Sequence, residues 1–294
     1  MSRFIIIILV NFVFILQIKI GFCLKNDTCA VCDCSCDVEI DVVKKVMKGL
    51  KDVKKSTDKI EQQLTANRAT NPSSCMEAAA TSLKSGVYKI KLEKLNIADL
   101  EVFCDEDVDF GGWLVIQRRQ SGSVRFYRCW NDYKKGFGDL TGNYWIGLEK
   151  LHALTSSCEQ ELYIQLQRRS GEKYHAKYAE FLIGPESQSY TLKKLGNYGG
   201  NAGDSLRQHL GMKFSTYDRD NDNLENNCAM KYEGAWWFDD CYYSHLNGVY
   251  NGDFYGVAWN AIKKEESLSF SQMMIRPTQN CWRRLMLGNL NRYT

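Results

Sequence analysis

Proline is nearly absent from this chain of 294 residues: there are 3, against 22 glycines. Pro-rich linkers and collagen-like repeats are thereby excluded. Histidine is scarce as well, with only His152, His175, His209 and His245, and none stands in HExxH spacing. No GxSxG run exists and no CxxC sits in a βαβ context. Hydrolase, zinc-protease and thiol-redox chemistry therefore have no footing. An excess of charge of one sign is missing too. Lys+Arg number 38 and Asp+Glu 35, a net +3, which gives no support to a nucleic-acid partner. Gly-rich phosphate loops and a βαβ rhythm are also absent. Finally, no apolar run reaches the ~20 residues that a membrane-spanning helix needs.

What remains is a globular composition, 44% hydrophobic and 25% charged, rich in aromatics and with 12 Cys. The meaning of those cysteines depends on the compartment. Met1 to Arg3 is a short basic start, Phe4 to Leu16 is apolar except for Asn11, and Gly21 and Cys23 follow. This charge–apolar–small order predicts a secretory signal over residues 1–23, the alternative being an uncleaved anchor. A secreted, extracellular chain lives in oxidising surroundings, where cysteines pair. Asn26-Asp27-Thr28 is then a glycosylation sequon.

Residues 24–37 form a Cys-rich stub with Cys29, Cys32, Cys34 and Cys36. Four cysteines in so short a stretch are strained if they all pair locally, because bridged Cα atoms sit ~5.5 Å apart. Disulfides between chains are the easier solution, with a local knot or a thiolate metal site as alternatives. The following stretch, residues 38–66, predicts a short coiled coil. Val43, Leu50, Thr57 and Leu64 occupy a positions, and Val46, Val53 and Ile60 occupy d positions. β-Branched d residues favour trimers or tetramers over a parallel dimer. Gly49 weakens the helix by about 1 kcal/mol. The alternative is a single amphipathic helix. Together, stub and coil predict a disulfide-linked homo-oligomer.

Residues 67–74 read as a linker around Pro72. From Cys75 onward aromatics, glycine and alternating apolar residues appear together. Alternation predicts strands over 86–92, 112–118, 161–167 and 175–181, and helical spacing marks 148–154. An α+β domain over 75–278 with antiparallel strands and a loop-dominated last third follows, with a tail over 279–294.

Trp236-Trp237-Phe238-Asp239-Asp240-Cys241, continuing to Leu246-Asn247-Gly248, resembles the signature of the fibrinogen C-terminal domain family. Phe103-Cys104-Asp105, the run from Gly111 to Arg119, Tyr144-Trp145-Ile146-Gly147-Leu148-Glu149 and Met273 to Pro277 resemble that family in the same order. The resemblance implies a twisted antiparallel sheet with a loop-rich calcium- and ligand-binding subregion. It also implies the bridges Cys75–Cys104 and Cys228–Cys241. Cys129 and Cys158 fall outside that pattern and are expected to pair with each other, and Cys281 is expected in the tail. Removal of Cys23 leaves eleven cysteines, an odd number, so one is free or joined to another chain.

Asp218, Asp220 and Asp222 alternate along a polar run that reaches Cys228. Side chains two apart in a looping backbone converge on one hard cation, and carbonyls complete its oxygen shell. A solvated turn is the bland alternative. The run is not an EF-hand, since the glycine and the final glutamate of that loop are missing. By resemblance, Ca²⁺ is held by the Asp220 and Asp222 carboxylates and the Leu224 and Asn226 carbonyls, with Asp218 behind them. An adjoining pocket would use Tyr232, the backbone N–H groups of Cys241 and Tyr242 after a cis Asp240–Cys241 peptide, and Phe254 or Tyr255. Tyr242 replaces a histidine common in that pattern, and the loop 250–256 is short. The implied function is non-enzymatic: a multivalent, calcium-dependent lectin for acetylated or charged glycans in innate immune defence. A cell-surface protein or a peptide is the alternative ligand.

Overall fold

The structure is a computed structural model that describes residues 35–68, 72–252 and 256–283, and within the first helix the side chains of residue 42 and residues 44–59. The predicted signal segment and the candidates Asn26, Cys29, Cys32, Cys34, Cys36, Phe254 and Tyr255 lie outside the described residues and side chains. The chain divides into two units, Met1–Asn67 and Arg68–Thr294. In the first, helix α1 (Ser35–Arg68) runs for 34 residues, about 50 Å at 1.5 Å per residue. Freedom from proline and spacings of three and four between apolar residues favour it. Val46, Leu50 and Val53 stand exposed along one face.

The second unit is built on one antiparallel sheet. Its order is β1 (Gly86–Leu92), β2 (Ile97–Asp105), β3 (Trp113–Arg119), β12 (Phe270–Pro277), β6 (Gln160–Gln167), β7 (Lys173–Ile183) and β8 (Leu192–Leu195). Short strands β4 (Phe137–Gly138) and β5 (Tyr144–Trp145) extend β3, and β9 (Tyr198–Gly200) pairs with β7. The last strand thus lies at the centre of the sheet. Its register runs from Phe270↔Gln167 to Pro277↔Gln160 on one side, and it pairs with β3 on the other. β3 is buried at every position, as expected of a central strand covered on both faces.

One face carries the main core. Leu114, Ile116, Leu162, Ile164, Leu166, Met273 and Ile275 join Leu148, Leu151 and Leu154 of helix α4 (Leu148–Ser157). Helices α2 (Cys75–Ala78) and α3 (Trp130–Lys135) are short. An aromatic cluster extends the core toward the last third of the chain, with Phe214 5.2 Å from Trp237 and 5.9 Å from Trp145. The indole N–H of Trp237 donates to the Tyr190 carbonyl, so that large ring is buried with its polar atom satisfied.

The opposite face holds a smaller cluster of Trp113, Val115 and Met274. Arg276 lies 4.1 Å over the Trp113 ring and donates to the Asp109 and Gly111 carbonyls. Those carbonyls belong to a turn in which Asp109, Phe110, Gly111 and Gly112 all have positive φ. At Phe110 this is costly, because Cβ crowds the carbonyl by ~1–2 kcal/mol in that region, and its ring is fully exposed. Phe110→Gly is therefore expected to raise stability by about 1 kcal/mol, read as a higher urea midpoint with an unchanged slope.

Cysteine pairing departs from one expectation. Cys75–Cys104 and Cys228–Cys241 are bridged. Cys158, however, is bridged to Cys281, with Cα atoms 5.8 Å apart, and Cys129 is free and half-buried. The reason lies in the sheet. β12 pairs with β6, Pro277 faces Gln160, and Thr278 N donates to the Glu159 carbonyl at 2.9 Å. The residues just beyond the two strand ends are thereby brought side by side. Cys129 instead precedes α3 in another part of the unit.

Between β9 and β12, the described residues of segment 201–269 hold only short elements: a single 3-10 turn (Arg207–His209), helix α5 (Cys228–Lys231) and the two-stranded pair β10 (Ser244–His245) with β11 (Ala258–Trp259). It is fastened to the sheet by buried polar side chains of β3. Gln117 donates to the Leu246 carbonyl, and Arg119 donates to the Leu246 and Gly248 carbonyls. Burial lowers the Arg119 guanidinium to about 10, so it stays charged at neutral pH.

Candidate functional site

Two loops meet at the Cys228–Cys241 bridge. The first starts at Ser215, which pairs with Trp236, and turns tightly at Thr216 and Arg219. Asp218 accepts from Thr216 Oγ1 at 2.7 Å and from the Trp130 backbone N–H at 2.8 Å, which ties this turn to the start of α3. Asn221 is fixed inward, its amide donating to the Phe214 carbonyl. The chain then wraps around carboxylates. Asp220 Oδ1 accepts from Asp222 N at 3.2 Å, Asp222 Oδ1 from Leu224 N at 3.0 Å, and Asp222 Oδ2 from Cys228 N at 2.9 Å. Aspartate suits such turns because its short side chain reaches backbone N–H groups two residues on.

The same loop is tied to the second. Asn223 Nδ2 donates to Asp239 Oδ1 at 2.7 Å, and Asn227 caps α5 by accepting from Met230 N while donating to the Thr216 carbonyl. Beyond the bridge, Tyr242 meets Tyr232 edge to face, with ring centroids 4.9 Å apart. The Asp240–Cys241 peptide is trans, like every peptide bond among the described residues. This corrects the expected cis bond: for a non-proline residue the trans form is favoured by about 3–4 kcal/mol.

Sequence reasoning missed His209, which organises the second loop from inside. Its Nδ1 lies 2.7 Å from the Trp237 carbonyl and so carries the proton, while Nε2 accepts from the N–H groups of Tyr243 (3.2 Å) and Ser244 (3.1 Å). Burial pushes the ring down to about 4. A lone histidine in a polar stretch far from the bridge carries no local signal of this role. Asp239 was likewise read only as part of a signature, whereas it joins the two loops through Asn223.

Asp220 and Asp222 are brought together. Burial, reinforced by the Asp220 charge and opposed by the Cys228 and Leu224 N–H groups, raises the Asp222 carboxyl to about 6. Among the described residues no group of three or more His, Cys, Asp or Glu side chains is placed to hold a metal ion. The side-chain donors brought together here are two carboxylates, all oxygen. That set fits a hard cation completed by carbonyls and water, and does not fit zinc or copper. A cleft between α4 and β7, lined by Thr155, Ser156, Glu180 and Lys194, lies apart from this loop and shares none of these residues.

The sequence model for the C-terminal globular domain of fibrinogen beta and gamma chains matches residues 71–278. The chain belongs to the fibrinogen C-terminal domain family. Members of that family, such as the relatives below, are non-enzymatic binding and adhesion proteins. It is 45% identical over 193 residues to human fibrinogen C domain-containing protein 1, covering 62% of this chain and 42% of that protein. It is 42% identical over 207 residues to human tenascin-R, covering 69% of this chain and 15% of that one. The chain thus spans less than half the length of these relatives. Among solved structures it is similar to the fibrinogen-like globe domain of human ANGPTL2, with a TM-score of 0.67 at 43% identity, covering 70% of this chain and 99% of that one. It also resembles the lamprey fibrin D-dimer in complex with the peptide Gly-His-Arg-Pro-amide, with a TM-score of 0.66 at 29% identity, covering 92% and 93%.

Proposed function

We propose that this fibrinogen-family chain is a secreted, calcium-dependent lectin, made multivalent through its N-terminal segment, that recognises acetylated or charged glycans in innate defence. The observation that carries this reading is the loop of Asp220 and Asp222, closed by its own backbone and tied to the Cys241–Tyr242 segment by a bridge and by Asn223–Asp239. Asp220, Asp222 and the carbonyls of Leu224 and Asn226 would hold the Ca²⁺, with Asp218 behind them. When bound, the ion supplies positive charge that offsets the crowded carboxylates and stiffens the loop. The chain's own groups do the recognising. The faces and edges of Tyr232 and Tyr242 would offer an aromatic wall to an acetyl methyl, and the Cys241 and Tyr242 N–H groups, presented here after a trans rather than a cis peptide, would be the donors for its carbonyl oxygen. Phe254 and Tyr255 would close the far side. Single shallow sites of this kind bind weakly, and linking them raises avidity by ~10²–10⁴. The linkage would come from interchain bridges at Cys29, Cys32, Cys34 and Cys36 beside the coil over residues 38–66, with a glycan at Asn26.

A second reading, a receptor- or peptide-binding ligand using the same face, is favoured by two observations. Tyr242 stands where acetyl-binding relatives commonly have histidine, and the related lamprey fibrin D-dimer holds a peptide amide.

A glycan array with and without EDTA separates the two. N-acetylated sugars are expected to bind with calcium and to be lost with chelator and in Asp220→Ala. Calcium at a hundred times its Kd should also raise wild-type stability by about 2.7 kcal/mol, and leave Asp220→Ala unmoved. A silent array beside tight binding to a cell-surface protein would support the second reading.

A further inference from the structure

Helix α1 has a second face that the coil does not use. Lys44, Lys48, Lys51, Lys55 and Lys59 are all exposed. At 3.6 residues per turn their Cα atoms fall within about 80° of arc and extend over about 22 Å. None of the five has an ion-pair partner among the described residues. Like charges three and four apart work against a helix, and this stripe stacks four such pairs in succession. Asp52 and Asp58 lie along the two edges of the stripe, on opposite sides. The apolar residues Val46, Leu50 and Val53 point the opposite way, about 180° round.

We infer that this lysine stripe binds a sulfated linear polysaccharide, a site separate from the calcium loop and independent of it. Charge complementarity selects a polyanion, and the geometry narrows the kind. A membrane-surface helix inserts its apolar face and keeps its lysines on the polar side. Here Val46, Leu50 and Val53 form the stripe that self-association would take up, which leaves no apolar face for a bilayer. A nucleic-acid site reads or stacks bases with Arg, Asn, Gln or aromatic side chains, and the stripe holds only lysines. The acidic edges confine the positive strip to one chain's width, which penalises a duplex with two phosphate strands. A flexible chain carrying sulfates on successive sugars can follow the single row. Because the apolar stripe faces away, self-association through it leaves every copy's lysine row outward.

The test uses the full-length protein and immobilised heparin in buffer containing EDTA. Binding is expected at physiological salt and is expected to weaken linearly in log–log salt dependence. Lys51→Gln/Lys55→Gln should bind about tenfold more weakly with a shallower salt slope. Lys45→Gln/Lys54→Gln removes the same charge from the flanks and should stay close to wild type. Equal losses in both pairs would reduce the effect to net charge and overturn the site. Absence of binding, equal binding to desulfated heparin, or tighter binding to duplex DNA or to anionic phospholipid vesicles would overturn it as well.

Discussion

Replacing Cys158 and Cys281 together by serine is expected to lower stability by about 5 kcal/mol, the largest loss from any of the three bridges among the described residues. The bridged residues are 123 apart in sequence, against 29 for Cys75–Cys104 and 13 for Cys228–Cys241. In the chain-entropy account a cross-link stabilises by restricting the unfolded chain, and the restriction grows with loop length, giving about 3 kcal/mol for the shortest loop here and about 5 for the longest. The structural position agrees. Cys281 follows β12, the central strand, and Cys158 precedes β6, its neighbour. The bridge therefore clamps the end of the pairing between β6 and the final strand. Urea unfolding of wild type and the three double-serine variants is the measurement. A loss for Cys158/Cys281 no greater than that for Cys228/Cys241 would show that the pairing adds nothing at this distance.

Acid should weaken the fold well before carboxylates are neutralised. His209 and His245 are fully buried, with folded values pushed by burial to about 4 and about 3, and the Arg119 charge adds to the shift at His245. The ordinary histidine value is about 6.5. The unfolded chain therefore takes up two protons below that value while the folded chain refuses them. The stability is present in full above about 6.5 and is lost as pH falls through the window down to about 4. The slope is about 1.4 kcal/mol per pH unit for each histidine, or about 4 kcal/mol by pH 5. Asp222 works in the opposite direction below about 6, because its folded value is raised. Urea midpoints at pH 7 and pH 5 test this, and His245→Asn should remove roughly half of the histidine-driven slope. The event at His209 is local as well as global. A proton on Nε2 would expel the Tyr243 and Ser244 N–H groups, so the loop after Cys241 should be the first to gain hydrogen-exchange rate in acid.

Several elements were legible because their cause is local. The alternation of 86–92 and 161–167 became β1 and β6, and the helical spacing at 148–154 became part of α4. β2 was not read, although it spans Ile97–Asp105, because two consecutive exposed residues interrupt its alternation. The carboxylate loop was legible from residues two apart, since such neighbours converge whatever the fold does. His209 was not, because its value lies in three backbone groups more than 25 residues further along the chain. The assignment of Cys158 to Cys129 failed for the same reason. Their shared place outside the family pattern suggested that pair, and strand pairing decided otherwise.

Family membership, the α+β class, the carboxylate loop and the apolar stripe of α1 were written in short-range pattern: alternation, helical period and contiguous motif, each set by the backbone geometry of a few neighbouring residues. The placing of the final strand between β3 and β6, the partner of Cys281, the trans peptide before Cys241 and the buried histidine behind the second loop came only from the tertiary structure. These depend on which distant surfaces exclude water together, and that is a property of the whole packed chain.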